Sequence, residues 1–290
     1  MTNKKENARR LALFVVLALL LSALMLLFIV LFRESETVVF LCELLMMWTP
    51  AAASIITRAV TREGFRDMKL HLHLGVNLRY YIIAFFLPIV IMSATYILPV
   101  ALSGHGEWLS GFTFTTVISA FLMLISYTAI TSVRVLGEEL GWRAYMNQKM
   151  EPLFGVTGTC ITGGIVWGLW HLPMDLIGYF TGNLSLGEVF SMSGGRLTEL
   201  VFFAVPLMWL TKKTDSVWPA VVCHGIYNYT TGLIAEILIQ GAPENADPGI
   251  IMDVFRYLPM IIAAAVFLVL MLRDKRKREN DIKNTETAGQ

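Results

Sequence analysis

The sequence is short of charged residues for its length. Only 16% of its 290 residues are Asp, Glu, Lys or Arg, whereas a soluble protein carries about 25%. Hydrophobic residues make up 56% of the chain, and the mean hydropathy is +0.62. This composition excludes an ordinary soluble domain and predicts a polytopic membrane protein. The formal net charge of +1 gives no indication of a nucleic-acid partner, and none is expected.

Cysteine is also scarce. The three cysteines, Cys42, Cys160 and Cys223, all lie within apolar runs. An odd number in such places argues against a disulfide framework, so we expect these thiols to pack as small hydrophobic side chains. The sequence also contains no internal repeat and no soluble domain.

Eight hydrophobic segments can be drawn, and most reach the ~20 residues needed to cross a bilayer core. They are approximately 11–32, 38–60, 80–103, 113–135, 157–181, 197–211, 216–240 and 254–272. We therefore predict an all-α fold, a polytopic membrane bundle of about eight transmembrane helices that spans residues 11–272. Residues 1–10 are expected to form a cytoplasmic N-terminus. Residues 273–290 are charged and lack apolar side chains, so we expect a disordered cytoplasmic tail.

The basic residues are distributed unequally between the connections. One side of the predicted bundle holds only Arg33, Arg196 and Arg256 of the 23 basic residues, and the other side holds all the rest. Because cytoplasmic loops carry the excess of Lys and Arg, this distribution predicts that both termini are cytoplasmic. An even number of spans agrees with that orientation.

Ionisable groups within membrane segments are expensive to place and are read as functional by default. The first such group is the motif Glu-Glu-Leu-Gly-Trp-Arg at 138–143. Glu139 and Arg143 are four residues apart, so they can pair on one face of a helix. Glu138 lies about 100° further round the helix and is left to point elsewhere. A solvated cap at the cytoplasmic end of the fourth span is the alternative interpretation.

Two further polar motifs lie on other spans. His171 is within the fifth span, and Trp167, one turn before it, could form a wall of its pocket. His224 and Asn228 are four residues apart in the seventh span, so their side chains face the same way. Each motif alone is compatible with ordinary hydrogen bonding between helices. Together they place a carboxylate, two imidazoles and an amide where they could activate water.

The motif order Glu-Glu-x-x-x-Arg, aromatic-x-x-x-His and His-x-x-x-Asn resembles the CPBP family of intramembrane endopeptidases. This family includes the type 2 CAAX prenyl endopeptidases and the Abi-like bacterial proteins linked to bacteriocin processing or immunity. The resemblance covers roughly residues 113–235, which would be the protease core. Tryptophan stands at 167 where the family pattern often has phenylalanine, and every polar position is intact.

The resemblance implies a catalytic role for four residues. Glu138 would be the general base, and His171 would help to hold and polarise the water. His224 and Asn228 would donate hydrogen bonds to the developing oxyanion.

Glu139 and Arg143 would orient the first motif, and Trp167 would form a pocket wall. The family is described in both metal-dependent and glutamate-dependent terms. No cofactor is therefore assigned, although zinc remains an alternative because one Glu and two His match a catalytic zinc site. Its ligands would be Glu138, His171 and His224.

The sequence thus predicts an intramembrane endopeptidase in a bacterial cytoplasmic membrane. Its partners would be the lipid bilayer and a peptide or protein substrate that is membrane-associated or enters from the cytoplasm or laterally between helices. One rival is a non-catalytic immunity or scaffold protein whose polar cluster serves helix packing. A second rival is a small transporter with a polar site at the bilayer midplane.

Overall fold

A computed structural model describes residues 4–241 and 249–288, and within them all regular secondary structure is helical. A 3-10 turn at Gly106–Gly111 precedes the fifth α-helix, and a π-helical turn at Trp142–Met146 follows it. The α-helices are α1 (Lys4–Leu31), α2 (Glu36–Met46), α3 (Thr49–Val60), α4 (Leu74–Leu102), α5 (Phe114–Gly141), α6 (Asn147–Phe180), α7 (Leu186–Thr214), α8 (Trp218–Gly241) and α9 (Gly249–Ala288). The prediction of an all-α polytopic membrane bundle is confirmed.

Each of the eight apolar segments corresponds to one helix, except that the second is divided between α2 and α3, which are bent by 55°. Four helical stretches of the described residues are long and apolar enough to cross a membrane, or five if the bent pair counts as one span. These stretches are Lys4–Leu31, Leu74–Leu102, Phe114–Phe180 and Phe255–Thr285. The count of eight spans and the cytoplasmic position of both termini stay predictions.

The break between α2 and α3 packs directly against the first polar motif. Thr49 donates its hydroxyl to Met46 O at 2.8 Å and accepts Trp170 Nε1–H at 2.9 Å. Gly141 lies so close to Pro50 that a Cβ on this glycine would be 2.3 Å from the proline Cβ. The C-terminal end of α5 is therefore held in place by the N-terminal end of α3, and not by a loop.

The polar motif ends in the π-helical turn Trp142–Met146, which leads without a loop into α6. Such turns are rare and are frequently found at functional sites. Inside α6 the helix is interrupted at Gly155, whose φ of 68° suits glycine. The part of α6 that carries His171 therefore restarts next to residue 157, where the fifth apolar segment was drawn.

Helices α6 and α7 pack closely because α6 presents glycines to α7. A Cβ on Gly164 would lie 2.4 Å from Val201 Cα, and one on Gly168 would lie 2.5 Å from Leu197 Cδ1. Small residues allow helix backbones to approach each other in membranes. This contact determines how α6 is rotated about its own axis, and therefore the direction in which Trp167 and His171 point.

The expectation of a disordered cytoplasmic tail at 273–290 stays a prediction. Helix α9 continues through the charged segment to Ala288, and residues 289 and 290 lie outside the described residues. Lys213 of α7 pairs with Asp274 at 2.6 Å, and Lys275 lies 3.8 Å from Glu279 one turn later. Opposite charges at helical spacing support a helix in this segment.

Candidate active site

The three polar motifs meet at one cavity. Its volume is about 520 Å³, and its lining includes Glu138 from α5, Trp167 and His171 from α6, and His224 and Asn228 from α8. All four residues to which the resemblance assigns catalysis therefore face a common space. The two residues expected to orient the first motif, Glu139 and Arg143, lie behind this lining and are fully buried.

Glu138 is a buried carboxylate, and two indoles donate hydrogen bonds to one of its two oxygens. The indole N–H of Trp167 donates to Glu138 Oε2 at 2.7 Å, and the indole N–H of Trp142 reaches the same oxygen at 3.4 Å. Within residues 4–241 and 249–288, no side-chain hydrogen bond is made to Oε1. The second oxygen is therefore left to a water or substrate group in the cavity.

Glu139 connects the first motif to the third. Its Oε2 lies 3.1 Å from Arg143 Nε, which is the predicted pair, and its Oε1 lies 2.9 Å from His224 Nδ1. The side chains of all three are at most 5% exposed. Because a carboxylate can only accept, Nδ1 of His224 is protonated and its Nε2 is directed elsewhere.

Trp167 contacts Glu138, Arg143 and His224. The Arg143 guanidinium lies 4.4 Å from the centroid of its ring, a cation–π distance. The His224 ring packs edge-on against it, with centroids 5.1 Å apart and planes at 78°. This residue was predicted to be a pocket wall, and it is also the closest hydrogen-bond donor to Glu138.

His171 is oriented by its own helix. Its Nδ1 lies 3.0 Å from the carbonyl oxygen of Trp167. A carbonyl oxygen can only accept, so Nδ1 carries the proton and Nε2 of the neutral ring keeps a free lone pair. Asp175, one turn later, does not orient this ring; its carboxylate bonds to Ser193 and Arg196, each at 2.8 Å.

Asn228 lies one turn beyond His224 on the same face of α8. In contrast to the buried histidine, its side chain is exposed, and it lines the cavity. Its amide is therefore available to a molecule that enters the cavity.

The described residues include no preformed group of ligands that supports the zinc alternative. Among the residues that the structure describes, no group of three His, Cys, Asp or Glu side chains is arranged to hold a metal ion. Glu138, His171 and His224 share the cavity lining, but they do not form such a group. We derive no reaction step through a metal.

Sequence reasoning missed three features of this site. The indole of Trp142 was not recognised as a donor, although the residue lies inside the first motif. The contact between Glu139 and His224 joins residues 85 positions apart. Three charged residues of the cavity, Arg196, Glu199 and Arg256, belong to no motif, and the sequence signal was a charge inside a predicted span, which Glu199 and Arg256 carry and Arg196 does not.

Comparison with known proteins agrees with the motif order. Residues 116–230, which include all three motifs, match the family model of Rce1-like type II CAAX prenyl endopeptidases. CAAX prenyl protease 2 of Methanococcus maripaludis is 26% identical over 170 residues. The aligned part covers 55% of this chain and 58% of that protein, so the chain spans less than two thirds of the length of this curated relative. These matches support the resemblance to the CPBP family that the order of the three motifs indicates.

Proposed function

We propose that this protein is an intramembrane endopeptidase that hydrolyses a peptide bond without a covalent enzyme intermediate. The observation that carries the proposal is the Glu138 carboxylate, which faces a 520 Å³ cavity with one oxygen held by two indoles. Packing alone does not require a buried carboxylate to face a cavity, because an unpaired charge in that position is costly.

Glu138 is the general base of the reaction. Its free oxygen takes one proton from a water, and the water oxygen attacks the carbonyl carbon of the scissile bond. The free Nε2 of His171 accepts the hydrogen bond of the second water proton, which orients the water. As the carbon–nitrogen bond breaks, protonated Glu138 returns its proton to the leaving amine, so the products are a carboxylic acid and an amine, and the acid passes its remaining proton to the amine or to solvent after release.

His224 and Asn228 stabilise the oxyanion. His224 already donates from Nδ1 to Glu139, so it can donate from Nε2 only as the imidazolium. The amide of Asn228, exposed to the same cavity, supplies a second donor. Preorganised donors of this kind act strongly in a site with little water.

The charges of the site balance in this state. Two carboxylates, Glu138 and Glu139, face one guanidinium and one imidazolium, from Arg143 and His224. During the attack the negative charge passes from Glu138 to the oxyanion, so the sum stays at zero throughout. Buried charges are tolerated when they are paired in this way.

The substrate is a peptide or protein segment, and the enzyme works in the bilayer of a cell membrane, which we propose to be the bacterial cytoplasmic membrane. The name of the archaeal relative refers to a prenylated CAAX box. A bacterial cell is not expected to supply that modification, so we do not assign it to the substrate here.

Cleavage of a diverse peptide library by the purified protein in detergent tests the proposal. Wild type should release products, and Glu138→Gln should release none, because the amide keeps the size of the side chain and removes the base. Glu107→Gln is the matched control, since this carboxylate is 62% exposed and lies outside the cavity. Equal product from all three proteins would contradict the role of Glu138. No cleavage by any of them would favour the non-catalytic immunity or scaffold function.

A further inference from the structure

The π-helical turn Trp142–Met146 carries two side chains that hold the carboxylates of the first motif. The indole of Trp142 reaches Glu138 Oε2 at 3.4 Å, and Nε of Arg143 lies 3.1 Å from Glu139 Oε2. A π-helical turn is one residue longer than an α-helical turn, and single turns of this kind occur frequently at functional sites. The conformation of this turn therefore decides where both groups lie relative to the cavity.

The turn is held from outside by α3 and by the connection between α3 and α4, residues 61–73. The Tyr145 hydroxyl donates to Glu63 Oε2 at 3.1 Å. Arg58, in the last turn of α3, donates to Ala144 O at 3.4 Å, and its guanidinium lies 4.8 Å from the centroid of the Tyr145 ring. Tyr145 and Arg58 are both buried. Two neighbouring residues of the turn are thereby fixed by one segment of the chain.

Glu63 is a fixed acceptor and not a mobile surface carboxylate. Its Oε1 pairs with Lys149 Nζ, and its Oε2 lies 3.6 Å from Arg10 Nε. The side chains of all three residues are less than 10% exposed. The backbone N–H of Glu63 also donates to Arg58 O at 3.0 Å. A carboxylate held by buried ion pairs in this way presents its oxygen to the Tyr145 hydroxyl in one position.

The bond between Tyr145 and Glu63 lies outside the cavity, because neither residue belongs to its lining. Any influence of this bond on the site must therefore pass through the turn, along the backbone from Tyr145 to Arg143 and Trp142. A contact that served packing alone would change the stability of the protein and leave the catalytic rate of the folded protein intact. A contact that positions the turn would also change that rate, without changing how a peptide binds.

We infer that Glu63 and Tyr145 are positioning residues of the site. The hydrogen bond between them joins residues 82 positions apart and fixes the π-helical turn. The turn then places the indole that holds Glu138 and the guanidinium that pairs with Glu139. That the site catalyses hydrolysis rests on the proposed function, whereas the control of the turn by Glu63 does not.

Tyr145→Phe tests the inference, because it removes only the hydroxyl that donates to Glu63. Cleavage of a library-derived peptide should show kcat reduced by roughly 10- to 100-fold, since a misplacement of about 1 Å at a site can cost about 10²-fold. KM should be unchanged, because neither residue lines the cavity. Tyr81→Phe is the matched control: its hydroxyl donates to Leu72 O at 2.6 Å in the same connection, and this variant should keep the wild-type kcat. A wild-type kcat in Tyr145→Phe, or a raised KM alone, would overturn the inference.

The acceptor of the bond is tested at Glu63. Glu63→Ala removes it, and the double variant with Tyr145→Phe should lose no more kcat than Glu63→Ala alone, because both changes break one interaction. Glu63→Gln keeps a side-chain oxygen for the hydroxyl and should retain a higher kcat than Glu63→Ala, although both lack the charge. Independent losses in the double variant, or equal kcat for the two Glu63 variants, would contradict the inference. If Glu63→Ala does not fold, Tyr145→Phe decides, since it keeps the ion pairs of Glu63.

Nuclear magnetic resonance reports on the turn without any catalysis. In protein that contains ¹⁵N-labelled tryptophan, the indole N–H signals of the seven tryptophans are recorded in detergent, and Trp142→Phe identifies the signal of Trp142. Tyr145→Phe should shift this signal, because the indole moves relative to Glu138, and Tyr81→Phe should leave it in place. An unmoved signal in Tyr145→Phe would overturn the inference. If wild type cleaves no peptide, the proposed function fails, and the Trp142 signal alone decides whether Glu63 and Tyr145 control the turn.

Discussion

The Trp167 indole donates its Nε1–H to Glu138 Oε2 at 2.7 Å, the shortest hydrogen bond at the site. The face of the same indole carries the Arg143 guanidinium at 4.4 Å. Arg143 in turn pairs with Glu139, which holds His224. One aromatic side chain therefore links the proposed base to the ion pair that orients the proposed oxyanion donor.

The first prediction concerns this indole. Trp167→Phe keeps an aromatic ring but removes the donor to Glu138, so the carboxylate loses its closest anchor. A hydrogen bond to a charged group contributes about 1.5–3 kcal/mol, which corresponds to a loss of roughly 10- to 100-fold in kcat/KM. Steady-state cleavage of a library-derived peptide measures the effect.

Two further variants separate the hydrogen bond from the loss of ring size. Trp209→Phe is the matched control, because this buried indole N–H has no hydrogen-bond partner within the described part of the chain, and its kcat/KM should stay at the wild-type value. Trp142→Phe removes the weaker donor at 3.4 Å. Since both donors reach one oxygen, the double variant should lose more than the product of the single effects. Strict independence of the two would argue against a shared anchor.

The second prediction concerns the buried ion pair. Arg143→Met removes the guanidinium and leaves Glu139 buried with only His224 as a partner among the described residues. Breaking a buried pair in this way costs about 3–5 kcal/mol, so the thermal unfolding temperature in detergent should fall clearly. Lys213→Met is the control, because its pair with Asp274 is about one third exposed and contributes at most about 1 kcal/mol. Equal unfolding temperatures for the two variants would contradict the prediction.

Local sequence patterns were sufficient for the parts of the site that lie on one helix. The spacing of four between Glu139 and Arg143 predicted their pairing, and the same spacing placed His224 and Asn228 on one face of α8. The lengths of the apolar runs predicted the helices. These features depend only on helical periodicity and on the thickness of a bilayer.

Contacts between helices were not predictable in the same way. A membrane helix is apolar on its lipid face and on its packed face, so its pattern does not reveal its rotation or depth. The bonds from Trp167 to Glu138 and from His224 to Glu139 depend on these two quantities. The 55° break between α2 and α3 was also missed, although Pro50 in the first turn of α3 is a local signal for a helix start.

The third prediction compares two glycines. Gly164→Ala places a Cβ only 2.4 Å from Val201 Cα, so α6 and α7 must move apart. Overpacking of this kind costs about 1–3 kcal/mol. Gly194→Ala is the control: it has open space around it and should stabilise its helix by about 0.5–1 kcal/mol. Thermal unfolding in detergent should therefore shift in opposite directions, and a shift in the same direction would contradict the packing described for α6.

The last prediction concerns Asn228. Asn228→Ala removes a donor that the proposed mechanism uses only when negative charge develops on the carbonyl oxygen. The loss should appear in kcat, at about 10²- to 10³-fold, with KM nearly unchanged. Folding should be unaffected because this side chain is exposed to the cavity.

Asn228→Asp sharpens the same test, because it keeps the size of the side chain and replaces the amide donor with a carboxylate. A carboxylate near the oxyanion would repel it, so this variant should be at least as inactive as Asn228→Ala while it keeps the wild-type unfolding temperature. If Asn228 only bound the ground-state peptide, both variants would raise KM and leave kcat intact. That result would remove Asn228 from the oxyanion site and leave His224 as the one proposed donor there.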